Sequence, residues 1–201
     1  MKIICIGRNY AEHAKEMKAE LPKEPVFFMK PETALLKEED FYFPDFTKEL
    51  HHEIELVLKI CKVGKSIQPE FADKYYNEIG LGIDFTARDM QANCKAKGLP
   101  WEIAKAFDNS APIGGFINKQ DLDLNNINFS LTINGQTKQA GNSNDLIFNF
   151  NQVIAYVSKF VTLKVGDLIY TGTPEGVGPV AIGDKLEGYI NGNKLLNINI
   201  K

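Results

Sequence analysis

Cysteine is scarce in this sequence. Cys5, Cys61 and Cys94 are the only three in 201 residues. They are scattered and odd in number, which suggests neither a disulfide framework nor a zinc site and fits a reducing cytoplasm. An excess of basic charge is also missing. The 23 Lys and Arg face 26 Asp and Glu, for a formal net charge of -3. Nothing electrostatic therefore points to nucleic acid or to an anionic membrane surface as partner. No apolar run is long enough to span a bilayer. The opening Met1-Lys2-Ile3-Ile4-Cys5-Ile6-Gly7 is too short for a signal peptide and has no small-residue cleavage site, so it reads as a strand. There is no internal repeat and no linker, so residues 1-201 read as a single α+β domain. Hydrophobic residues at 44% are enough for a packed core.

What the sequence does have is an alternating stretch, His51-His52-Glu53-Ile54-Glu55-Leu56-Val57-Leu58-Lys59-Ile60. In a strand, Ile54, Leu56, Leu58 and Ile60 share one face, and Glu53 and Glu55 share the other. Two neighbouring carboxylates repel unless a positive charge lies between them. A hard divalent cation, Mg²⁺ or Mn²⁺, suits that position; a solvated acidic face is the alternative. A second strand, Ile79 to Phe85, sets Gly80, Gly82 and Asp84 on one face. Glycines there mark the close approach of a ligand or another backbone, and Asp84 becomes a third candidate ligand.

The remaining chain supplies possible partners for such a site. Asn9 and Glu12 have capping-box spacing and open a short helix that ends by Pro22. On it His13 and Glu16 lie three apart, an arrangement for a general base or a plain exposed pair. Lys30 ends an apolar strand before Pro31 and faces either an anionic ligand or solvent. Residues 37–50 read as a loop, and Phe71 to Asn77 as a short helix. Thr86 and Asp89 cap a helix running to about Lys97 with Gly98 as its stop, which puts Arg88 and Gln91 near Asp84. Lys105 sits among small and apolar residues, where a buried ammonium needs an anion. Asn134-Gly135 and Asn191-Gly192 mark two hairpins, and residues 151–160 an amphipathic helix. The glycine-rich loop Thr171 to Val180 could bind a carboxylate through its N–H groups, but it lacks the phosphate-loop ending.

Taken in order, several motifs resemble the fumarylacetoacetate hydrolase family. They are Gly7-Arg8-Asn9-Tyr10, Phe28-Met29-Lys30-Pro31, His51-His52-Glu53-Ile54-Glu55-Leu56 and Asp84-Phe85-Thr86-Ala87-Arg88-Asp89. Lys97-Gly98-Leu99-Pro100-Trp101, Ala104-Lys105 and Gly166-Asp167 through Thr171-Gly172-Thr173-Pro174 complete the set. The resemblance runs from about Ile3 to the C-terminus and is nearest the small acylpyruvase and oxaloacetate decarboxylase branch. It implies a mixed β-roll with a few short helices, a homodimer, and one Mg²⁺ or Mn²⁺ per subunit. By that resemblance Glu53, Glu55 and Asp84 are metal ligands, and His13 and Glu16 form a dyad on a lid. Lys105 is the active-site lysine, and Arg8, Lys30, Arg88, Gln91 and Thr173 line the substrate pocket. The implied activity is cleavage of a C–C bond in 2-oxo acids through a metal-bound enolate, by acylpyruvate hydrolysis, oxaloacetate decarboxylation or both. Hydrolysis needs His13 to activate water, whereas decarboxylation does not. An isomerase or hydratase of an unsaturated 2-oxo diacid and a non-catalytic metal-binding protein are the alternatives.

Overall fold

The computed structural model describes residues 1–16 and 20–201. The chain opens with β1 (Ile3–Gly7), α1 (Ala11–Glu16), β2 (Val26–Lys30), β3 (Leu35–Leu36) and β4 (Asp40–Phe41). Next come β5 (Leu50–His52), β6 (Ile54–Ile60), β7 (Tyr76–Ile83), β8 (Thr86–Ala87), α2 (Arg88–Lys97) and α3 (Glu102–Lys105). Then follow β9 (Ala111–Asn118), β10 (Asn128–Ile133), β11 (Gln136–Asn142) and α4 (Phe150–Phe160). The chain closes with β12 (Leu168–Tyr170), β13 (Gly178–Pro179), β14 (Lys185–Ile190) and β15 (Asn193–Ile200).

A seven-stranded mixed sheet has the order β2-β1-β12-β6-β7-β9-β3, and a five-stranded one the order β11-β10-β14-β15-β4. A small third sheet is β13-β5-β8. Mixed, curled sheets with few short helices make this an α+β β-roll, as the resemblance implies. The inner face of the large sheet carries Ile54, Leu56, Leu58 and Ile60, all buried in one core with Leu131, Leu186, Ile198 and their neighbours from the second sheet. The alternation of β6 therefore reads correctly on its apolar side. α4 adds Val153, Ile154 and Val157 to the same core, and Asn149 with Gln152 forms its capping box. Both hairpin turns have two residues at positive φ, Asn134 (51°) with Gly135 (78°) and Asn191 (47°) with Gly192 (81°). That is the mirror-image turn whose twist matches paired strands.

The polar side of β6 departs from the expected continuous strand. β5 ends at His52 and β6 begins at Ile54, so Glu53 stands at the junction where the chain leaves the small sheet for the large one. β7 and β8 repeat the break at Asp84 and Phe85. β6 pairs with β7 and β5 with β8, so the two junctions lie side by side, tied by Asp84 N–H donating to Glu53 O at 2.8 Å. A bent two-strand ribbon thus brings Glu53 and Asp84 together. No ladder constrains either residue.

Other local expectations fail as well, two of them because a distant partner outbids a near one. Asn9 does not cap α1. Its side chain donates to Phe148 O and Thr171 O and accepts from Phe148 N–H. The end of that helix near Pro22 is not bounded, because 17–19 lie outside the described residues. Thr86 does not cap α2 either; it donates to Glu53 Oε1, while Asp89 accepts from Thr47 Oγ1. Residues 37–50 are not all loop, since they contain β4 and the first residue of β5. Phe71 to Asn77 is not an independent helix. Pro69–Tyr75 is 3₁₀ and Tyr76 already belongs to β7. Gly80 and Gly82 make room for aromatic rings, and Gly80 also for the Gly115 backbone, the second of the two alternatives, rather than for a ligand. A Cβ on them would stand 2.7 Å from Phe116 and 2.6 Å from Tyr170.

Candidate active site

Glu53, Glu55 and Asp84 each offer a carboxylate oxygen within 4.8 Å of the other two. All three are buried. Cations hold two of them. Glu53 Oε1 accepts from Arg88 Nη2 at 2.6 Å, and its Oε2 accepts from Lys105 Nζ at 2.9 Å. Lys105 Nζ also donates to Asp84 Oδ2 at 2.8 Å. Lys105 is thus buried with anionic partners, as its apolar surroundings require. Among the described residues Glu55 has only the Gly172 N–H, at 2.6 Å, from the glycine-rich loop.

The electrostatics follow from this division. Burial pushes the Glu53 carboxyl up, but Lys105 and Arg88 outweigh it and hold it well below the usual range. Burial raises the Glu55 carboxyl, and repulsion from Asp84 and Glu53 raises it further. Burial lowers the Lys105 amine, yet Asp84 and Glu53 more than restore it, so it stays charged.

These residues fit a hard divalent cation. The donors are all carboxylate oxygens, the preference of Mg²⁺ and Mn²⁺. Asp84 Oδ1 has no hydrogen-bond partner although it is buried. Lys30 Nζ lies 2.8 Å from it as a buried ion pair. A positive charge among the three would relieve the repulsion on Glu55.

The carboxylates form the floor of a cavity of about 470 Å³. Arg8, His13, Arg88, Gln91, Lys105 and Thr173 stand on its walls. His13 Nδ1 is 3.2 Å from Glu16 Oε2, and both Glu16 oxygens reach Gly176 N–H at 3.3 Å. The helix that carries the dyad is therefore pinned to the loop that carries Thr173. Arg88 also donates to Gln91 Oε1 at 2.8 Å, which fixes the amide of Gln91. A larger apolar groove of about 710 Å³, between Ile113–Phe116 and Lys194–Ile198, contains none of these groups.

The fumarylacetoacetate (FAA) hydrolase C-terminal family matches residues 2–200. The chain belongs to the fumarylacetoacetate hydrolase family. It is 42% identical over 201 residues to the mouse protein named oxaloacetate tautomerase FAHD1, mitochondrial, covering 99% of this chain and 91% of that one. It is 44% identical over 197 residues to oxaloacetate tautomerase YcgM of Escherichia coli, covering 96% of this chain and 90% of the relative. Among solved structures, fumarylpyruvate hydrolase from Pseudomonas aeruginosa, in complex with Mn²⁺ and pyruvate, superposes with a TM-score of 0.94. It is 38% identical, and the match covers 100% of this chain and 89% of that one.

Of the residues singled out by family motifs, all but two line this cavity. Glu16 stands behind His13. Lys30 is the correction: it lies beneath the floor, not on the wall, with Nζ bonded to Ser110 O at 2.9 Å and Ser110 Oγ at 3.0 Å. Its ammonium is buried and paired with Asp84. Sequence reasoning missed Lys95, Phe28 and Trp101 as lining groups. Lys95 was within reach, because residues 88, 91 and 95 fall on one helical face. It also missed Gln139, which has no local signal. That buried amide donates to Thr173 Oγ1 and Pro174 O and accepts from Ile54 N–H, so it couples the loop to the ligand junction.

Proposed function

We propose that this protein is a divalent-cation-dependent enzyme of small 2-oxo acids that have a second carbonyl or carboxyl group. Oxaloacetate and acylpyruvates are the substrates meant. The reaction is keto–enol interconversion or C–C bond cleavage beside the 2-oxo group. The observation that carries the reading is the convergence of three buried carboxylates on the floor of a cavity with cationic walls. The names of the mouse and E. coli relatives point to oxaloacetate, and the Pseudomonas structure pairs a like fold with Mn²⁺ and pyruvate.

Glu53, Glu55 and Asp84 would hold the cation, Mg²⁺ or Mn²⁺, which supplies Lewis-acid stabilisation of the negative charge developing on the 2-oxo oxygen. The chain's own residues do the rest. An ammonium has three N–H donors, and Lys105 spends two on Glu53 and Asp84. Its third serves the oxyanion that develops at a distal carbonyl under water attack. His13 engages Glu16 through Nδ1, which leaves Nε2 as the base that takes a proton from water or from the carbon beside the 2-oxo group. Gln91 and Thr173, each fixed by a neighbour, orient the substrate carboxylate. Decarboxylation needs no attacking water, so its demand on His13 is smaller.

The reading includes a homodimer and a cytoplasmic setting. Among the described residues no helix is long and apolar enough to cross a membrane. The test is pyruvate release from oxaloacetate and from acetylpyruvate, together with ultraviolet decay of enol-oxaloacetate, with and without Mg²⁺. Acceleration of any of these by the metal-loaded protein over the metal-free protein is the expected result. No acceleration of any of them overturns the reading.

A further inference from the structure

The cavity has more positive charge than its carboxylates use. Arg88 and Lys105 are paired with Glu53 and Asp84. Arg8 and Lys95, also on its walls, form no ion pair among the described residues. Lys95 is placed by two features. It follows Arg88 and Gln91 along the cavity face of α2, and its Nζ stands 5.3 Å from the centre of the Trp101 ring. A cation over an indole face is held in position without being neutralised. Lys95 is exposed to solvent; partial desolvation lowers its amine, and the neighbouring charges of Arg88, Arg8 and Lys105 lower it further. That repulsion is what an anion between them would remove.

Arg8 is placed by its backbone. Its φ is 59°, in the left-handed region that a residue with a side chain seldom enters. Asn9, bonded to Phe148 and Thr171, anchors the next residue and so holds that conformation. Strain kept in a cavity wall has a use when it aims a side chain.

The charge count points the same way. Four cations (Arg8, Arg88, Lys95, Lys105) and four carboxylates (Glu20, Glu53, Glu55, Asp84) line the cavity. A bound divalent cation leaves two positive charges, the charge that a dicarboxylate brings.

We propose that Lys95, with Arg8, forms a subsite for the distal carboxylate of the substrate and selects 2-oxo dicarboxylates over 2-oxo monocarboxylates. This deepens the 2-oxo acid reading and rests on it. Lys95 over Trp101 is the selecting group, and Arg8 adds a second positive charge on the cavity wall. Both act on binding, away from the reacting atoms.

The test is calorimetric binding of a matched pair, 2-oxoglutarate and 2-oxopentanoate, to the Mg²⁺-loaded protein. The two differ only in a carboxylate against a methyl group. The native protein is expected to favour the diacid by about 10-fold or more, the scale of one charge-assisted hydrogen bond. Lys95→Met is expected to collapse that ratio towards one, and Lys95→Arg to restore most of it. Equal binding of both ligands by the native protein, binding of neither, or an unchanged ratio in Lys95→Met overturns the proposal. Circular dichroism of each variant separates lost selectivity from lost fold. Turnover is not the readout, so an inactive protein that still prefers the diacid contradicts the proposed reaction and leaves the subsite standing.

Discussion

Gln139 Nε2 donates to Thr173 Oγ1 at 2.9 Å, while Gln139 Oε1 accepts from Ile54 N–H at 3.0 Å. One buried amide therefore spans the loop that carries Thr173 and the backbone between Glu53 and Glu55. The same oxygen lies 2.8 Å from His52 Nδ1. Gln139→Leu leaves these buried groups without a partner. We expect a loss of about 2 kcal/mol or more in urea unfolding, at about 1–3 kcal/mol for each unsatisfied group. Weaker Mg²⁺ binding should accompany it. A variant with native stability and native metal affinity would show that the amide positions nothing.

Removal of one ligand should abolish metal binding and turnover together. Glu53→Ala deletes one of the three converging carboxylates and strips Arg88 and Lys105 of a partner. Calorimetric titration with Mg²⁺ should show no saturable site, and both oxaloacetate and acylpyruvate activities should vanish. Full activity of this variant after chelation would contradict the ligand assignment.

The dyad separates two reactions. His13→Ala should depress acylpyruvate hydrolysis by roughly 10²-fold or more, the size of a lost general base. Decarboxylation of oxaloacetate should fall less, because no water is activated. Steady-state kinetics on both substrates measures this. Equal loss of the two activities would place His13 in substrate binding instead.

Metal should stabilise the fold. Repulsion from Asp84 and Glu53 raises the Glu55 carboxyl, and a cation among the three would relieve it. Mg²⁺ at about 100 times its Kd should add about 2.7 kcal/mol by mass action, seen as a higher Tm. A Tm that does not move with Mg²⁺ or Mn²⁺ would mean that the three carboxylates bind neither.

Much of this molecule was legible in its sequence, for local reasons. The alternation of Ile54, Leu56, Leu58 and Ile60 marks a core face whatever surrounds it, and Asn134-Gly135 makes its turn from its own two residues. The acidic cluster was legible because Glu55 on β6 and Glu53 and Asp84 at the ends of the paired strands β6 and β7 are carboxylates close in the alternating pattern. What escaped depends on contacts far apart in the chain. Asn9 and Thr86 look like helix caps until Phe148, Thr171 and Glu53 take their side chains. Glu53 looks like a mid-strand residue because a switch between sheets leaves no mark in a period-two pattern. Lys30 looks like a free cation at a strand end until Asp84 and Ser110 close on it. Gln139 could not be found from its neighbours at all.

The most direct test of the central claim is the metal dependence of reactions on 2-oxo acids. Purified protein is stripped with chelator and assayed on oxaloacetate and acetylpyruvate, then reassayed after Mg²⁺ or Mn²⁺ is restored. Negligible turnover without metal and its return with either ion are the expected result. The ratio of the two substrates then shows which reaction dominates. Turnover that persists undiminished in chelator would contradict a site built on Glu53, Glu55 and Asp84.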